Sequence, residues 1–238
     1  MRFPENIFDL VGGEDAIWSD DHSGPETLRV TGPNGEFFIK QGPLAVTEHG
    51  RLRWLKRWAN VPDVVAFEGN VLVLAEAGWR SLDRKPPPEA GTIMGRALRA
   101  LHAIPVEECP FDERLDVKLD RAAERVRAGL VDRAAVAARH AGLTPEQVYD
   151  KLLLERPADE DPVVTHGDFT PANVLASYSG EAIFVDLGEL GVADRYMDLA
   201  VALLHLSEPA AADFLAAYGL DEVDEAKLAY YQSLHSLL

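Results

Sequence analysis

Between Val163 and His205 two apolar runs each deliver an acid into a glycine-containing turn, and no other stretch of the chain restricts its fold as strongly. The run opening at Val163 leads into His166-Gly167-Asp168, and Asn173 follows five residues after the acid. Ala182–Val185 leads into Asp186-Leu187-Gly188, and Asp194 and Asp198 then stand at the head of an apolar helical pattern. A strand, a loop with an acid and an amide, a strand and a second acid make an order that suits phosphoryl transfer. There a protein must hold metal ions against a triphosphate and place a hydroxyl in line with it.

The chemistry fixes the residue types. Magnesium prefers oxygen ligands, so Asn173 and Asp186 are the candidates to hold it. An acceptor hydroxyl needs a carboxylate to orient it and take its proton late, and Asp168 is the candidate for that. Gly167 and Gly188 are expected to let the backbone turn sharply beside each acid. His166 invites a general-base reading, but the kinase pattern gives that duty to the following acid, so His166 is expected to order the loop. The bland alternative is two solvated turns carrying ordinary acids. An H-x-D-x-x-x-x-N pattern followed one hairpin later by D-x-G argues against accident.

The same stretch resembles the aminoglycoside phosphotransferases, nearest their 3'-phosphotransferase branch. The resemblance rests on His166-Gly-Asp-Phe-Thr-Pro-Ala-Asn173, Asp186-Leu-Gly-Glu-Leu-Gly191 and Ala193-Asp-Arg-Tyr-Met-Asp-Leu-Ala200. It implies an α+β, protein-kinase-like two-lobed fold: a small N-terminal antiparallel sheet lobe with one helix, then a larger, mainly helical C-terminal lobe. It also implies transfer of the γ-phosphate of ATP, with Mg2+, to a hydroxyl of an aminoglycoside antibiotic.

Upstream, Thr27–Thr31 alternates as a strand does, Pro33-Asn34-Gly35 is a hairpin turn, and Glu36–Lys40 is a second strand closed by a lysine. Lys40 fits the phosphate-pairing lysine of a kinase small lobe, although a lysine ending an apolar strand is common by itself. Pro43–Ala59 reads as one helix with Leu52, Leu55 and Trp58 at helical spacing, and Glu48 on it is the natural partner for Lys40. Glu48-His-Gly-Arg-Leu-Arg-Trp-Leu55 matches the family pattern E-x-x-R-L-x-W-L. No G-x-G-x-x-G flap exists; the family carries a short serine-containing loop instead, and Ser23-Gly24-Pro25 sits at about that position. Val61–Phe67 and Val71–Leu74 are two further strands. By resemblance, the Ala75-Glu76-Ala77-Gly78 segment is the hinge, with the backbones of Ala75 and Ala77 meeting the adenine edge. The lobes are expected to divide near Gly78, giving a nucleotide-binding lobe over 1–78 and a catalytic and substrate-binding lobe over 79–238.

Beyond it the pattern turns helical. Glu89–Ala103 carries Ile93, Met94, Ala97, Leu98 and Leu101 on one face, and Arg114–His140 is a long charged helical region broken at Gly129. Thr144-Pro-Glu-Gln starts another helix with good capping signals. His102 and Cys109 are expected to be packing residues.

Composition then narrows the partners. A net charge of −17 argues against nucleic acid, which wants a basic face, and would attract a cationic small molecule. No run approaches the roughly 20 apolar residues of a membrane span. A single cysteine, Cys109, excludes an intrachain disulfide and fits a reducing, cytoplasmic setting. A monomer or weak homodimer is expected.

The departures from the family fall on the acceptor side. Where acids are typical, the chain has Arg133-Ala-Ala-Val-Ala-Ala-Arg-His140, Leu204 replaces an arginine, and Ser233–Leu238 has neither acid nor aromatic residue. Kinase action on another small alcohol, such as an amino alcohol, sugar or macrolide, is therefore the alternative. A catalytically silent nucleotide-binding protein is a third reading, opposed by the intact Lys40, Asp168, Asn173 and Asp186.

Overall fold

The computed structural model describes residues 3–20, 27–177 and 179–238. They fall into two compact units: Met1–Arg80 with Ile183–Gly188, and Ser81–Ala182 with Glu189–Leu238. The short run carrying Asp186 thus belongs with the N-terminal unit.

In the first unit, β1 (Ile17–Asp20), β2 (Thr27–Gly32), β3 (Gly35–Gln41), β4 (Val64–Glu68) and β5 (Val71–Ala75) form an antiparallel sheet of order β1-β2-β3-β5-β4. Val71, Leu72, Val73 and Leu74 of β5 are all buried, as a strand covered on both faces requires. Strand alternation sorts the neighbours. Phe37 and Ile39 point into a core with Val30, Val71 and Val73, whereas Lys40 takes the opposite face. The core is closed by α1 (Glu5–Leu10), which brings Ile7, with Val11 just beyond it. Phe3 and Phe8 stack on Trp18, at 5.4 and 5.9 Å between centroids. α1 leaves no readable mark in the sequence, because six residues give too little periodicity.

α2 (Pro43–Leu55) starts at a proline, whose missing N–H costs nothing there. It ends four residues before the expected Ala59. Its exit tightens into i→i+3 bonds, Arg57 N–H to Trp54 O at 3.3 Å and Trp58 N–H to Leu55 O at 2.8 Å. That turn leaves Trp58 44% exposed, while Trp54, Leu52 and Leu55 carry the burial.

The second unit is mainly helical: α3 (Ala90–His102), α4 (Leu115–Arg127), α5 (Arg133–Arg139), α6 (Pro145–Leu154), α7 (Tyr196–His205), α8 (Glu208–Tyr218) and α9 (Glu225–His235). Gly129, at φ +67, separates α4 from α5 as its position suggested. Thr144 and Gln147 form a full capping box on α6. On α3 the buried side is Gly91, Met94, Gly95, Leu98 and Leu101, leaving Ile93 and Ala97 half-buried. The glycines rotate the expected face, because α8 lies against them: a methyl group added at Gly91 or Gly95 would stand 2.1 or 2.3 Å from the Ala210 or Phe214 carbonyl oxygen.

Two short strands, β6 (Pro162–Thr165) and β7 (Gly191–Asp194), pair antiparallel with Thr165 opposite Gly191. That register sets the loop leaving β6 beside the residues entering β7. Among the described residues no helix is long and apolar enough to cross a membrane.

Candidate active site

The sequence-identified residues gather into one set in each unit. In the first, Lys40 ends its face of β3 opposite the first turns of α2, and its Nζ lies 3.0 and 2.8 Å from the two carboxylate oxygens of Glu48. The same ammonium pairs with Asp186 Oδ1. Lys40 and Glu48 have side chains 15% and 4% exposed, whereas Asp186 is 39% exposed. Burial opposes the charge on Lys40, but the two carboxylates outweigh it and hold the ammonium above its ordinary range. One cation cannot fully neutralise two acids. Burial, with Asp186 adding to it, accordingly raises the Glu48 carboxyl despite Lys40.

Gly188 was expected to supply the turn beside Asp186, but the left-handed backbone falls on Asp186 itself, at φ +57. Short polar side chains tolerate that region better than others. Gly188 has open space around its Cβ position, and its carbonyl accepts a hydrogen bond from Arg51 Nη1 on α2. Arg51 is buried and was not singled out from sequence. The E-x-x-R spacing that puts it one turn after Glu48 was the available signal.

Ala75 and Ala77 lie at and just past the end of β5, both half-buried. Ala75 N–H donates to the Asp63 carbonyl at 2.9 Å. Ser23 lies outside the described residues.

In the second unit, β6 ends at Thr165 and the chain enters the His166–Asp168 loop, then a single 3-10 turn over Pro171–Asn173. Asn173 Nδ2 donates to both the Asp168 carbonyl and Asp168 Oδ2, each at 2.9 Å. With its NH2 committed, the amide oxygen of Asn173 is the atom left to serve a ligand. Gly167 adopts φ +90, and a Cβ there would lie 2.4 Å from the Glu189 carbonyl oxygen, so only glycine fits.

The loop hangs on Asp198, a fully buried carboxylate in the first turn of α7. Asp198 Oδ2 accepts from His166 N–H at 2.7 Å and Oδ1 from Gly167 N–H at 2.8 Å. His102 Nε2 lies 3.0 Å from Oδ2, and its Nδ1 is 2.8 Å from the Tyr218 hydroxyl. Burial resists the charge on Asp198, yet His102, His166 and the backbone donors hold the carboxyl below its ordinary value. His166 is buried, and its Nδ1 accepts the Asp168 N–H at 3.3 Å, a loop-ordering role. His102 is a packing residue that also buttresses Asp198, a duty its sequence position did not reveal. Phe169, fully buried beneath the loop, lies 5.9 Å from His166 and 6.5 Å from Phe214 between ring centroids.

Asp186 offers a carboxylate oxygen and Asn173 an amide oxygen, and each is a hard donor of a type that suits Mg2+. The antiparallel sheet with its lysine–glutamate pair and the acid–amide loop of the helical unit define a small-molecule kinase of the protein-kinase-like class.

Residues 19–231 match the phosphotransferase enzyme family. The chain is 37% identical to an aminoglycoside 3'-phosphotransferase of Streptomyces fradiae over 91% of its own length and 92% of that protein. It is 36% identical to one of Streptomyces ribosidificus, over 98% and 95%. A crystal structure of an aminoglycoside 3'-phosphotransferase of type VIII superposes with a TM-score of 0.85 at 33% identity, covering 94% of each chain. The chain belongs to the aminoglycoside phosphotransferase family, and it is an ATP-dependent phosphotransferase with an alcohol as acceptor.

Proposed function

We propose that the protein transfers the γ-phosphate of Mg-ATP to a hydroxyl of an aminoglycoside, in the manner of the 3'-phosphotransferases it is similar to. The observation that carries this reading is the Asp168 carboxylate, half-buried and steered by Asn173 Nδ2 at 2.9 Å. In that place it can accept a hydrogen bond from an acceptor hydroxyl and take its proton as the phosphoryl group arrives. Lys40, held by Glu48, clamps phosphate oxygens, and its present pairing with Asp186 is the kind of contact a triphosphate with its metal would replace. Asp186 and Asn173 would hold Mg2+, which would supply charge neutralisation at the transferring group. Catalysis is then mainly positioning and electrostatics.

Residues 1–78 form the nucleotide-binding lobe and 79–238 the catalytic and substrate-binding lobe in this reading. Because Ala75 N–H is spent on Asp63, Ala77 is the better backbone donor for the adenine edge. Ser23 is, by the family resemblance, a further candidate for a nucleotide contact. The chain works in the cytoplasm as a monomer or weak homodimer, on a cationic acceptor attracted by its acidity and without a nucleic-acid or membrane partner.

A second reading, a kinase of another small alcohol, is favoured by α5. Its surface is Arg133, alanines and Arg139, and Arg133 is already paired with Glu146 at 2.8 Å. The test is Mg2+- and ATP-dependent ADP release across aminoglycosides and unrelated small alcohols. Strong stimulation by kanamycin-type compounds is expected; stimulation by another alcohol alone would select the second reading.

A further inference from the structure

Four ionisable side chains that the reading above leaves unused form a connected group beside the Asp168 loop. Lys118 Nζ lies 3.0 Å from Glu113 Oε2 and 2.5 Å from Glu189 Oε2. Arg121 Nη2 lies 3.0 Å from the same Glu113 oxygen, and its Nη1 donates to the same Glu189 oxygen. Each acid meets both bases. Lys118 and Glu113 are 1% and 2% exposed, so this is an interior network, with Arg121 and Glu189 at its rim.

The network links two elements of the same unit. Lys118 and Arg121 project from α4, and Glu113 just precedes it, its N–H donating to Val192 of β7 at 3.0 Å. Glu189 lies two residues before β7, and its backbone is packed directly on Gly167. Contact therefore runs from α4 through Glu189 to Gly167, whose neighbour is Asp168. Buried ion pairs give little net stability against an apolar set of equal volume; what they can supply is one fixed arrangement.

We propose that Glu189 is a positioning residue for phosphoryl transfer. Anchored by Lys118 and Arg121, it sets where Gly167 stands and hence where the Asp168 carboxylate points. This rests on the reading of Asp168 as the group that orients the acceptor hydroxyl.

The test compares wild type with Glu189→Gln, Glu189→Asp and Asp168→Asn, using Mg-ATP and kanamycin, with hydrogen exchange of the Gly167 amide measured alongside. Lys118 and Arg121 keep Glu113 in every variant, and far-UV circular dichroism checks that each variant is folded. Glu189→Gln should lower kcat about a hundredfold, the effect of roughly 1 Å of misplacement, while the KM for ATP stays within about twofold. Glu189→Asp should recover part of that loss, and Gly167 exchange should quicken in Glu189→Gln while β6 amides stay protected. An unchanged kcat and unchanged Gly167 exchange in Glu189→Gln, with Asp168→Asn inactive, would overturn the proposal and leave the Asp168 reading standing. Full turnover in Asp168→Asn would overturn that reading instead. The exchange of Gly167 then decides alone, as it does if wild type fails to phosphorylate kanamycin: quickened exchange upholds the anchoring by Glu189, and unchanged exchange ends it.

Discussion

In the sheet unit a lysine stands between two carboxylates, whereas in the helical unit a carboxylate stands among backbone N–H groups and a histidine. Lys40 owes its position to Glu48 and Asp186, charges that can exchange partners with a ligand. Asp198 owes its position to His166 N–H, Gly167 N–H and His102, groups fixed by the fold itself. The first arrangement is adjustable and the second is preset. For the proposed reaction the division is sensible: a nucleotide's charges would rearrange during turnover, while the loop that Asp198 holds would keep Asp168 in one place.

The contrast can be broken most sharply at Asp168. Asp168→Asn should cut turnover by about 10²–10⁴-fold, the usual worth of a proton acceptor, with unfolding little changed because the side chain is half-buried. Retained turnover in steady-state assays would remove Asp168 from the chemistry. Next comes Asp198→Ala, which leaves buried donors unpaired and should cost about 3 kcal/mol or more in urea unfolding. A loss below about 1 kcal/mol would mean the loop has other support.

Lys40→Met sharpens the other side. It should raise the KM for ATP and lower stability at pH 7.5 by about 1–3 kcal/mol, since Glu48 is then a buried carboxylate without its cation. That deficit should shrink towards pH 5, because a carboxyl already raised by burial protonates in the folded state first. A deficit independent of pH would show that Glu48 finds another partner.

The smallest effect is in the wild-type pH profile. Asp198 is depressed in the folded state, so its contribution is full above the ordinary aspartate value of about 3.9 and is lost as pH falls below it. Lys40 is raised, so its contribution is full below the ordinary lysine value of about 10.4 and is lost above it. Melting temperatures from pH 2.5 to 11 should show both edges, and Asp198→Asn should soften only the acid one.

Much of this was legible in the sequence because the chemistry-bearing residues sit close together in the chain. Asp168 and Asn173 are five residues apart, and Lys40 and Glu48 are eight apart across one turn between strand and helix. The α+β two-lobed architecture was implied by the resemblance carried on residues 163–202, while hydrophobic periods of 2 and 3.6 marked individual strands and helices. What escaped depends on distant pairing. His102 and Asp198 are separated by 96 residues, and Lys118 and Glu189 by 71, so neither partner carries a local mark of the other. Met94 and Leu98 were read correctly as core, but Gly91 and Gly95 were invisible as packing residues, because a glycine has no apolarity to count. The positive φ at Asp186 likewise has no periodic signature, and Gly188 drew the assignment instead.

Gly91 and Gly95 carry a consequence for how this chain can diversify. At both, the partner of a new side chain is main-chain carbonyl, which no compensating substitution can trim away. Gly50, by contrast, has nothing within 4 Å of its Cβ position. In a library varied along the whole chain and sorted for folding, position 50 should fill with many residue types, while 91 and 95 return glycine alone. The α3–α8 pair is then, like Gly167, a part of the chain with no mutational exit, and any new specificity must be acquired around it.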